Sequence, residues 1–94
     1  MLALTDSAVE AVRMIMSSTD EDGAAGVRVR AERNGGQTRF LLSVAAMPAE
    51  DDAVVEDHGA RVFLDTRAAS LLDEKVLDAR IDEHQVAFEI DDQM

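Results

Sequence analysis

Apolar residues change their spacing several times along this chain, and each change marks an element. Val27, Val29 and Ala31 alternate with Arg28, Arg30 and Glu32, and Phe40, Leu42 and Val44 recur at every second position. Period-two runs of this kind predict strands with one apolar face. Between them lies Asn34-Gly35-Gly36, residues that accept the positive φ values of a tight turn, so the two runs predict a β-hairpin. Leu41 breaks the alternation on the opposite face, either as an ordinary surface leucine or as part of a dimer contact.

Upstream, Ala8, Val12, Ile15 and Met16 follow helical spacing and predict a helix from about Asp6 to Ser18. Thr5, Asp6 and Ser7 are all competent N-caps, since each side-chain oxygen can accept an orphan N–H one turn on. Ser7 with Glu10 fits a capping box, and Thr5 is the earlier alternative. Residues 17–25 read as a solvated polar loop, because Asp20 and Asp22 lack the further oxygen ligands of a calcium loop.

Downstream, Met47-Pro48 ends the second hairpin strand, since proline has no N–H for the ladder. Val54-Val55 predicts a short extended segment, Asp57-His58-Gly59 a second tight turn, and Ala60 to Leu64 a strand of β-favouring residues. Asp65 or Thr66 then caps a short helix through Leu72, anchored by Leu71 and Leu72. Val76 to Ile81 and Val86 to Ile90 are the last strands, with a polar tail from Asp91. The predicted fold class is α+β: mostly antiparallel strands in a compact sandwich or half-barrel, with one N-terminal helix and one short internal helix.

Composition narrows the function classes. Ninety-four residues make one domain, 1–94, and a chain this short buries only about 60–65% of its unfolded surface, so an interface such as a homodimer would add stability. Twenty acidic residues against nine Lys plus Arg give a charge of −11, which repels phosphate backbones and anionic bilayers. Neither nucleic acid nor membrane is expected as a partner. The absence of cysteine excludes disulfides, thiolate nucleophiles and thiolate-held metals within the chain. No run approaches the ~20 apolar residues of a membrane-spanning helix, and the N-terminus lacks a signal-peptide pattern, so a cytoplasmic location is expected.

Gly35-Gly36-Gln37-Thr38-Arg39-Phe40 resembles the Gly-Gly-Cys-Ser-Gly-Phe segment of the HesB/IscA-like A-type iron–sulfur carriers. The resemblance continues through Leu4-Thr5, Gly26-Val27-Arg28-Val29, Gly59-Ala60-Arg61-Val62-Phe63-Leu64-Asp65, Ser70-Leu71-Leu72 and Phe88-Glu89-Ile90, and so covers nearly the whole chain. It implies a HesB-like fold. It also implies that Gln37 occupies the position of the family's first cluster cysteine, with Arg39 in place of the second hairpin glycine. The family's remaining ligands sit in a C-terminal Cys-Gly-Cys, which these residues do not contain. An amide is a poor iron ligand beside a thiolate, so cluster carriage by the family's route is not expected.

Other chemistries find little support. His58 and His84 each fall in a turn without an i,i+4 partner and read as solvated rather than as metal ligands. Gly35-Gly36 is not followed by the Lys-Ser/Thr of a phosphate loop, and no nucleophile–base pair stands out. The expectation is a non-catalytic, HesB-like protein without catalytic residues, cofactor or metal site. Its role is accessory or partner-binding, with iron–sulfur assembly proteins as partners. The alternative is a fold reused as a structural or interaction module unrelated to iron.

Overall fold

In the computed structural model, residues 1–17, 25–83 and 85–93 are described. Most of the expected 17–25 loop and all of His84 lie outside them. The elements run β1 (Ala3–Leu4), α1 (Asp6–Ser17), β2 (Gly26–Asn34), β3 (Gln37–Ala45), β4 (Ala53–Asp57), β5 (Ala60–Leu64), α2 (Thr66–Leu71), β6 (Lys75–Ile81) and β7 (Val86–Asp92). The α+β class and both helices are as the apolar spacing predicts. No helix among the described residues is long and apolar enough to cross a membrane.

Helix α1 is capped by Thr5, whose hydroxyl oxygen accepts the Ala8 N–H at 3.1 Å. The open choice among caps is thereby resolved, with Ser7 inside the helix. Ala8, Val9, Ala11, Val12 and Met16 form its buried stripe, and Ile15 packs half-buried beside them. The alanines, fully buried, let the helix axis approach the strands of β6, β5 and β2.

The strands form two sheets, in the orders β3-β2-β5-β4 and β1-β6-β7. Pairings β2–β3, β4–β5 and β6–β7 are antiparallel, the local hairpins that short connections favour. Two long-range pairings, β2–β5 and β1–β6, are parallel. Val27 and Val29 align with Val62 and Leu64, and Val62 with Val55, which builds one apolar face under α1.

Phe63 points to the other face of that sheet yet is only 1% exposed. Its ring lies against Gly26, where a Cβ would sit 2.8 Å from Phe63 Cζ and 2.8 Å from the Arg61 carbonyl oxygen. Gly26 is therefore required by close packing rather than by its own backbone angles.

Two expectations need correction. Leu72, the C-cap of α2, is buried, but Leu71, the last residue of that six-residue helix, is 45% exposed, because consecutive side chains at a helix end point well apart and only one faces the sheet. The polar tail from Asp91 is not free: β7 continues to Asp92, whose backbone pairs with Lys75. Strand pairing depends on the backbone, so polar side chains at an edge do not end it.

Candidate functional site

The hairpin places Gln37 at its tip. Asn34 and Gln37 form the last rung, joined by Gly35 and Gly36 at φ +59° and +86°, the two positive values of a two-residue turn matched to strand twist. Gln37, Thr38 and Arg39 are exposed. Arg39 reaches across to Glu32 at 3.9 Å, a weak surface pair. Gln37 offers a neutral amide, and no residue of the chain can supply a thiolate. This donor set does not fit iron or an iron–sulfur cluster.

His58 is displaced from the hairpin tip, in the turn between β4 and β5. It adopts φ +49° ahead of Gly59, and its Nδ1 lies 2.5 Å from Asp57 Oδ1. The side chain is 79% exposed, beside a groove that Val9, Arg13 and Met16 of α1 also line. The turn prediction holds for this residue, while His84, the other histidine, lies outside the described residues.

Two carboxylates are held in place by hydrogen bonds. Arg28 donates to Asp52 from Nε at 3.0 Å and from Nη2 at 3.1 Å, and the Ala49 N–H donates to the same carboxylate at 2.8 Å. The Asp52 side chain is 2% exposed. The Arg28 hydrogen bonds, helped by Ala49, hold its pKa below the ordinary carboxylate value, and Arg28 is raised by the same contact. The arrangement ties the loop before β4 to the first part of β2.

The second is Asp78 on β6. The Thr5 hydroxyl and then the Ala79 N–H lower its pKa. Asp78, Glu89 and Asp91 bring three carboxylates within 4.8 Å of one another. Arg80 meets Glu89 at 3.4 Å. Sequence reasoning missed this grouping. Its signal lay in the β6–β7 register, where Asp78 faces Glu89 and Asp91 follows two residues on.

No family model matches the chain. It is 37% identical over 79 residues to an uncharacterized protein in the nifU 5′ region of Azotobacter vinelandii, a match covering 83% of this chain and 73% of the relative. It is 34% identical over 77 residues to the iron-binding protein IscA of Photorhabdus laumondii, covering 82% and 71%. A further match, 38% identical over 69 residues, is the uncharacterized protein blr1755 of Bradyrhizobium diazoefficiens, covering 72% of this chain and 64% of that protein's length. Among solved structures, the fold superposes on Escherichia coli SufA, involved in biosynthesis of iron–sulfur clusters, with TM-score 0.78 at 23% identity over 97% of this chain and 84% of that one. It superposes on IscA with the 2Fe–2S cluster at TM-score 0.76 and 24% identity, over 98% and 85%. The chain belongs to the HesB/IscA family. Within that family it is a cysteine-less member, with Gln37 at the tip of its hairpin.

Proposed function

We propose that this protein is a non-catalytic, ligandless relative of the iron–sulfur carriers. It acts by binding partners, namely iron–sulfur assembly proteins and a second copy of itself, and does not hold iron. The observation that carries the reading is the combination of a family fold kept along the chain with an exposed amide at Gln37 and no cysteine. The similar proteins named for iron binding and for iron–sulfur biosynthesis support assembly factors as the partner class.

Anaerobic incubation with ferrous iron and sulfide, followed by desalting, iron analysis and a visible spectrum, tests the first half. The expected result is no retained iron and no charge-transfer bands. Near-stoichiometric retained iron would overturn it. Immobilised protein titrated with purified cluster scaffold and carrier proteins tests the second half. Binding to none of them would leave a reused interaction module unrelated to iron.

A further inference from the structure

Sheet edges carry unpaired backbone N–H and C=O groups, and proteins usually blunt them with charge. Edge strand β4 carries Glu56 and Asp57, edge strand β7 carries Glu89, Asp91 and Asp92, and β1 is only two residues long. Edge strand β3 is different. It is nine residues long, rich in β-favouring side chains, and has one charge, Arg39.

Charge is also divided unevenly. The β2–β3 hairpin, residues 26–45, carries four Arg against one Glu, a net +3. The other 74 residues carry five cations against nineteen acids. The β6–β7 hairpin, residues 75–92, holds six of those acids with Lys75 and Arg80, a net −4. Two copies at −11 each repel unless their contact brings opposite signs together. Pairing β3 with β3 would join two positive hairpins, and β7 with β7 two negative ones. Pairing β3 with β7 joins a positive to a negative one.

The side-chain patterns of these two edges also agree. On β3, Phe40, Leu42 and Val44 share one face, with Arg39, Leu41 and Ser43 on the other. On β7, Val86, Phe88 and Ile90 share one face, with Ala87, Glu89 and Asp91 on the other. Both apolar rows are only partly covered: Phe40, Leu42, Val86, Phe88 and Ile90 pack half-buried at the margin of the core, and Val44 is 46% exposed. Asp91 stands beside two further carboxylates, and the ion pair of Arg39 with Glu32 is loose, so each charge has much to gain from an opposite one.

We propose that the β3 edge docks antiparallel against β7 of a second copy, with Leu42 opposite Phe88 and Arg39 opposite Asp91. This alignment continues both apolar rows on one face. On the other it sets Leu41 against Glu89, with Arg30, the β2 neighbour of Leu41, close by. The contact joins two different edges: it closes as an isologous two-fold pair if both β3 edges engage, and as a heterologous head-to-tail contact it extends into a ring or filament if only one does. The proposal deepens the self-association stated above and rests on it.

The test is sedimentation velocity over a concentration series, at low and at high salt, with the wild type, Arg39→Glu, Asp91→Lys, and an equimolar mixture of the two variants. Both positions are exposed, and circular dichroism checks each fold. The expected result is salt-sensitive association, weakened about tenfold or more in each single variant and restored in the mixture. There the two reversed charges meet each other at one contact, and the native Arg39–Asp91 pair survives at the other. A wild type that stays monomeric throughout would overturn both self-association and this interface. An oligomer indifferent to the reversals, or not rescued by mixing, would overturn the β3–β7 contact and leave self-association standing.

Discussion

The Thr5 hydroxyl donates to Asp78 Oδ1 at 2.6 Å and accepts the Ala8 N–H at 3.1 Å, so one side chain both starts α1 and fastens it to β6. The Thr5 backbone adds a bond of its own, its N–H reaching the Leu77 carbonyl at 3.0 Å. Thr5→Ala removes the cap and the strand contact together and should cost ~1–2 kcal/mol, the upper part of the range for lost N-cap residues. Thr5→Ser keeps the hydroxyl and should recover most of that. Urea midpoints of the three proteins at neutral pH check the ordering.

Acid should destabilise the fold through identifiable carboxylates. Asp52 is lowered by its Arg28 hydrogen bonds first, and Asp78 by the Thr5 hydroxyl first. Each therefore has a native pKa below its unfolded one, and the ionised form favours folding. The stability they add is present above the ordinary value of 3.8 and is lost as pH falls from there through the depressed native values. Asp52→Asn and Asp78→Asn should each be less stable than wild type near neutrality and should flatten the acid limb. Urea unfolding between about pH 6 and pH 2.5 measures this. Equal slopes in all three proteins would refute it.

Gly26→Ala should destabilise although the substitution adds one methyl group. The new Cβ meets the Arg61 carbonyl oxygen, part of the backbone, and the ring of the buried Phe63. Neither has room to retreat, so the overpacking cost should be roughly 1–3 kcal/mol. The paired variant Phe63→Leu with Gly26→Ala relieves the ring clash but not the carbonyl clash. It should therefore recover only part of the loss against Phe63→Leu alone, as a double-mutant cycle in urea would show.

How much of this was legible in the sequence follows from how far each signal reaches along the chain. The hairpin was legible because Asn34-Gly35-Gly36 and the flanking alternation are neighbours, and turn chemistry is local. The parallel pairings of Val27 with Val62 and of Leu4 with Leu77 carry no local mark, since the partners lie far apart and either strand could satisfy other neighbours. Phe63 was placed in its strand but not in its pocket, because the space it fills is made by the missing side chain of Gly26 on another strand. Gln37 was found through family resemblance alone. Nothing in its own chemistry singles it out. The acidic group of Asp78, Glu89 and Asp91 becomes visible only once the β6–β7 register is known.

Gln37→Cys asks whether the hairpin tip can hold iron when given the missing ligand type. The position is exposed and already carries a polar side chain, so the fold should be unaffected. One thiolate per chain cannot complete a four-ligand site, and the adjoining Asn34 and Thr38 offer only neutral oxygens. After anaerobic incubation with ferrous iron and sulfide, the variant should lose its iron on desalting, while its thiol reacts freely with a maleimide. Retention of a stable, stoichiometric cluster would show that groups from the acidic strands or from a second copy can stand in for the family's Cys-Gly-Cys, and the claim that the lack of that segment prevents cluster binding would fall.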